Sequence, residues 1–239
     1  MRLNTFAPYK WYSIVIACLS VACYLFYTFA PAGLVVAIGS EDNLVEWLSA
    51  VLLAAAGVFF ALTFKHSRNI FFLLLALLML FGAGEEISWG QRLIGFSTPA
   101  TIKAANVQAE FTIHNLELFN GKQINKPNRT GISRLLEIDL LFKLFIFSFG
   151  IGLPLLQRFS KPVAGLIKKI KLPVPSLAIG MGFLLAWAGR WLVVKNLGMP
   201  AEANRKVYYD MVNAASEYYE FLTALTLFCI AHAFYSRRN

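Results

Sequence analysis

The sequence predicts an all-α, polytopic transmembrane helical bundle of about six spans, with both termini cytoplasmic and one long outer loop carrying a short surface helix. Three observations lead there. First, 58% of the 239 residues are hydrophobic and 15% are charged, whereas an ordinary soluble domain carries roughly 25% charged residues. Second, several segments reach or approach the ~20 apolar residues that cross a bilayer, and residues 70–84 carry no charge at all. Third, Lys and Arg gather in alternate connections, as they do on the cytoplasmic side of membrane proteins. The chain reads as one integral membrane domain over residues 1–239, and a greasy soluble bundle is the weaker alternative.

The spans fall at about 11–30, 44–64, 69–86, 137–157, 174–196 and 213–235. Arg2 and Lys10 precede the first, and Ala30-Pro31-Ala32 resembles a small-residue cleavage site. Its apolar run exceeds the ~7–15 residues of a signal peptide, so it reads as a retained helix. "KHSR" (65–68), the segment 157–173 with five basic residues and no acid, and the terminal "SRRN" fall on one side. That side is assigned to the cytoplasm. The segment 31–43 has no basic residue and reads as an outer loop.

The net charge is +9, but no polar domain gathers the basic residues into a nucleic-acid footprint. Membrane lipids are the expected partners, in a bacterial cytoplasmic (inner) membrane. Cys18, Cys23 and Cys229 lie inside apolar runs, so they suggest small buried hydrophobes rather than a disulfide framework.

Under this topology all thirteen acids lie in outer loops or at the outer ends of spans. The rule that places basic residues inside does not require acids to avoid that side. In the outer loop 87–136, Ser97 or Thr98 before Pro99 signals a helix start, and "NGKQINKPNRTG" is turn-rich. "EWLSAVLL" (46–53) and "EFLTALTL" (220–227) echo one another, and each sets a Glu at a similar depth.

The candidate residues follow from this clustering. An ionised group within a span costs about 2.5–3.5 kcal/mol on insertion scales and faces a partner or a wet cavity. Glu85, Glu86, His114 and Glu220 are the acid–base candidates. Glu46, Arg92, Arg190, Glu217 and Trp89 are the substrate-binding candidates. Helical spacing would line up Glu85, Ser88, Trp89 and Arg92 on one stripe, and Arg92 and Arg190 would each need a carboxylate. Carboxylates with a histidine suit a hard or borderline divalent cation. No paired-histidine spacing specifies a metal, and no cofactor is named by a motif. The bland alternatives are water-boundary charges at span ends, helix-terminal carboxylates favoured by the dipole, and a structural salt bridge for Arg190.

"EDNLVEWLSAVLL", "GEEISWGQR" and "NVQAEFTIHNL" resemble segments of a family of bacterial multi-pass membrane proteins of uncharacterised activity, over roughly residues 41–118. The resemblance implies membrane location and no particular reaction. "EDNLVEWLSAV" is also faintly similar to the opening of alkaline ceramidases. Their HxxxH pair has no counterpart here, and the three histidines fall on different faces of the membrane. The functional expectation is an outward-facing carboxylate/Arg/His cavity that serves a lipid or lipid-linked head group, as an enzyme or a binding site. A cation- or proton-coupled carrier and a structural or assembly subunit are the alternatives.

Overall fold

The computed structural model describes residues 7–40, 43–121, 129–198 and 205–237. Glu41, Asp42 and Glu202 lie outside the described residues, as does the side chain of Arg92. The chain is helical: α1 Ala7–Phe29, α2 Ala32–Gly39, α3 Leu44–Ser67, α4 Ile70–Glu86, α5 Gln91–Ile94, α6 Ala100–Ala105, α7 Ile138–Phe147, α8 Leu153–Phe159, α9 Lys161–Ile170, α10 Leu177–Asn196 and α11 Arg205–Ser236. Among the described residues the one β pairing is an isolated antiparallel bridge between Asn106 and Leu116.

Four stretches are long and apolar enough to cross a membrane: Lys10–Phe29, one within Ala32–Ser67, Ile138–Phe159 and Leu177–Asn196. α4 has 17 residues, about 26 Å of helix. α11 has 32 residues, about 48 Å. α11 packs on α3 and α10, α3 on α4, and α1 on α10. The core between them is built from Phe60, Met79, Phe183, Leu227 and Ile230, each essentially inaccessible. The opposite faces expose apolar side chains at helical spacing: Leu44, Leu48, Val51 and Val58 on α3, and Ile70, Leu74 and Leu77 on α4. Contiguous apolar faces of this extent are unfavourable in water and suited to a hydrocarbon surround.

Two of the expected loops contain helices. The 31–43 segment holds α2, whose Val35 and Gly39 are buried. The basic 157–173 segment holds α9, which buries Ile167 while Lys168 and Lys169 remain exposed. Both are too short to register as spans, so a reading keyed to run length passes over them.

Between α7 and α8, Ser148–Gly152 forms a π-helical turn. Pro154 follows, and proline lacks an amide hydrogen and clashes with the carbonyl four residues before it. Widening one turn accommodates it while the rod continues. The turn also brings the backbone of Gly150 against α10. A Cβ placed on Gly180 would lie 1.9 Å from the Gly150 carbonyl oxygen.

Charge segregates along the bundle axis. At one end, the Asn69 side chain receives Phe71 N–H as the α4 N-cap and donates to the Lys171 carbonyl at 2.6 Å. That contact sets "KHSR" beside the end of the 157–173 segment. At the opposite end lie the start of α3 with Glu46, the end of α4 with Glu85 and Glu86, and the start of α7 with Asp139.

Candidate functional site

The expected stripe of Glu85, Ser88, Trp89 and Arg92 is not helical. α4 stops at Glu86, and Ser88 (φ 47°), Trp89 (φ 52°) and Gly90 (φ 84°) follow in the left-handed region. Such conformations cost of order 1–3 kcal/mol for residues with a side chain and persist where surrounding contacts over-determine them. Here the reversal swings the Trp89 indole back over α4. Its ring lies 3.1 Å from where a Cβ on Gly84 would stand, and its Nε1–H donates to Glu85 Oε1. Ser88 Oγ donates to Glu110 Oε2 at 3.3 Å.

Glu85 is 7% exposed and gathers donors from two directions. Oε1 takes the indole, and Oε2 takes Ile113 N–H at 2.8 Å, His114 N–H at 2.7 Å and His114 Nδ1 at 2.8 Å. A carboxylate with charge-assisted bonds of this kind is a strong anchor. It clasps the loop to the end of α4. The loop beyond it is braced by its own amides. Asn106 Nδ2 donates to the Thr112 carbonyl at 2.9 Å, Val107 N–H to Asn115 O at 2.8 Å, and Phe111 N–H to Gln91 Oε1 at 2.8 Å. Asn106 and Gln91 went unread in the sequence, because isolated loop amides carry no periodic signal, and Glu110 was read only as one of the outer acids.

His114 is half-buried. Burial disfavours its charged form. The hydrogen bond and charge of Glu85, with the charges of Glu220 and Asp139, outweigh that and raise its pKa above the ordinary histidine value. Nδ1 is engaged by Glu85, so Nε2 is the nitrogen left to meet a ligand.

Beside this clasp, Glu86 on α4 meets Glu217 and Glu220 on α11. One carboxylate oxygen from each lies within 4.8 Å of the others. Ligands at about 2.3–2.6 Å from a calcium-sized cation stand up to roughly 5 Å apart across it. The three oxygens are therefore close enough to be candidate ligands of one cation. Glu46, Asp139, His114 and Lys143 act electrostatically on Glu220, and Glu46 is buried at the start of α3. Carboxylates of α4 and α11 thus come together among the described residues, while Glu46 of α3 reaches Glu220 only through its charge.

Arg190 does not join them. Its Nε and Nη2 donate to Ser216 Oγ at 3.2 and 3.1 Å, and among the described residues no carboxylate forms an ion pair with it. α10 meets α11 on the side where Ser216 lies, and α4 supplies Glu86 on another. Trp89 likewise spends its one polar hydrogen on Glu85. Compared with known proteins, the chain matches no family model, no curated protein and no solved structure.

Proposed function

We propose that the chain is an integral membrane protein whose Glu86, Glu217 and Glu220 bind a divalent cation at one end of the bundle, and that this cation receives a lipid or lipid-linked head group. The observation that carries the reading is the approach of three carboxylate oxygens from two packed helices to within 4.8 Å of one another. Counting back from Ser236 along α11, about 20 residues span a ~30 Å hydrocarbon core, which sets Glu217 and Glu220 near its edge. A hard cation held by a few protein oxygens keeps coordination positions for phosphate oxygens and water. His114, oriented through Nδ1 by Glu85, would present Nε2 as the proton donor or acceptor of the site. Glu85 then serves as the positioning group and Glu86 as a ligand, although the two are adjacent in sequence.

The test uses the full chain, purified, stripped with chelator and titrated with Ca²⁺, Mn²⁺ or Mg²⁺ while thermal unfolding is followed in detergent. Saturable stabilisation by at least one cation is expected. Glu86→Gln or Glu217→Gln should weaken it about tenfold or more, and His114→Gln should leave cation affinity near the parent value. Absence of saturable binding, with the Gln variants indistinguishable from the parent, rejects the site.

A further inference from the structure

A short amphipathic helix lies at the basic end of the bundle, away from the carboxylates. In α9, three- and four-residue spacing puts Val163, Leu166, Ile167 and Ile170 on one face. Lys161, Lys168 and Lys169 take the other. The protein covers only half of the apolar face. Ile167 is buried and Val163 half-buried, whereas Leu166 and Ile170 are 56% and 42% exposed. Phe159, the last residue of α8, is 77% exposed, with the Arg158 guanidinium 5.6 Å from its ring centre.

The two ends of α9 fix its direction. Before it, Ser160 is extended (φ −121°, ψ 105°) and breaks the rod of α8. After it, Lys171 turns into the left-handed region (φ 56°), and its carbonyl accepts the Asn69 side chain from the turn between α3 and α4. One end of α9 thus leaves the end of the Ile138–Phe159 stretch, and the other is held at the end of the α3–α4 hairpin. A helix of about 15 Å between two such ends runs across the bundle rather than extending it.

In a bilayer that position is the boundary between hydrocarbon and head groups. There the bare apolar edge enters the acyl region while lysines reach outward along their stems. Charge selects the lipid. Residues 157–173 hold five basic residues and no acid, and Lys65 and Arg68 are exposed across the Asn69 contact. Among the described residues, Lys161, Lys168 and Lys169 have no carboxylate partner. Cytoplasmic retention accounts for basic residues in a loop. It does not account for their sorting to one face of a helix whose other face leaves leucine and isoleucine bare. Lysines so placed attract anionic lipid.

We propose that α9 is an interfacial helix that binds the phosphates of anionic phospholipids through Lys161, Lys168 and Lys169, with Leu166 and Ile170 set among the acyl chains. The inference rests on the membrane reading of the chain and not on the cation site, which lies at the other end.

Full-length protein, delipidated in detergent with excess chelator to silence the carboxylate cluster, is titrated with phosphatidylglycerol and with phosphatidylcholine, and binding is read by thermal shift. The parent should bind phosphatidylglycerol about tenfold tighter, and added salt should shrink that advantage. The triple variant Lys161→Gln, Lys168→Gln, Lys169→Gln should lose most of the preference. Its melting temperature without added lipid should match the parent's, because all three side chains are exposed. In vesicles of the two lipids, nitroxides are then placed singly at Leu166→Cys and Lys169→Cys in a chain whose own three cysteines are replaced by alanine. The Leu166 label should be relaxed by lipid-soluble oxygen and the Lys169 label by an aqueous nickel chelate. Equal affinity for the two lipids, or a preference that the triple variant keeps, overturns the proposal. So does a Leu166 label relaxed from water, which would leave the face to a soluble acidic protein. Flotation checks the membrane reading separately: a chain that does not rise with the vesicles overturns both.

Discussion

At the scale of single residues, Glu85 concentrates the most consequence in the fewest atoms. Removing its carboxylate leaves the amides of Ile113 and His114 and the Trp89 indole without an acceptor. These donors are only partly buried, so each loss falls toward the lower end of the about 1–3 kcal/mol that a buried orphan costs. Glu85→Ala should therefore destabilise the protein by about 1–3 kcal/mol, and hydrogen exchange at the Ile113 and His114 amides should rise before the helices open. The histidine side of the clasp has a pH signature. His114 is raised above its unfolded value of about 6.5, so its contribution is fully present below that pH and is lost as pH climbs through the folded value. The melting temperature of the parent should fall more steeply than that of His114→Gln as pH rises above about 6.5. Equal slopes would remove His114 from the stability balance. The sequence made Glu85 and His114 conspicuous, because a carboxylate and a histidine stand out among apolar neighbours. Their pairing was not legible, since nothing local in the sequence spans the 29 positions between them.

At the scale of elements, the long apolar runs at 44–64, 69–86 and 174–196 were read to within a few residues of α3, α4 and α10. Run length is a direct consequence of the solvent these helices face. The reversal after Glu86 was missed, because helical spacing was extended through Ser88 and Trp89, residues that only rarely adopt positive φ. The contact that compensates them, Trp89 on Glu85 and Gly84, is a packing event. Gly180 offers the sharpest test of element packing. A methyl group there would overlap the Gly150 carbonyl at 1.9 Å, so α10 and the π turn would have to separate. Gly180→Ala should cost about 1–3 kcal/mol or more, whereas Gly189→Ala, with open space around its Cβ position, should be nearly neutral by thermal unfolding.

At the scale of the whole molecule, the ordering of charge along the bundle was the most legible property of the sequence. The described acids collect at one end. "KHSR" and the 157–173 segment meet at the other, where Asn69 bonds to Lys171. Six spans with both termini on the basic side remains our topological proposal. Cysteines introduced singly into 122–128 should react with a membrane-impermeant maleimide in intact cells, and cysteines at Lys65 or Lys168 should react only after permeabilisation. The opposite labelling pattern would invert the orientation. The sequence placed the ionisable groups at a common level but treated them as one assembly. The bundle divides them, because α11 presents carboxylates toward α4 and hydroxyls toward α10.

The hairpin of α3 and α4 is tied at its basic end to the chain leading into α10, and at its acidic end to the loop held by Glu85. α1 has no such fastening at the acidic end among the described hydrogen bonds, and it is the least buried of the four long apolar stretches. The first helix is therefore the element that the rest of the bundle holds most loosely at that end, and an opening of the molecule would start where α1 meets α10.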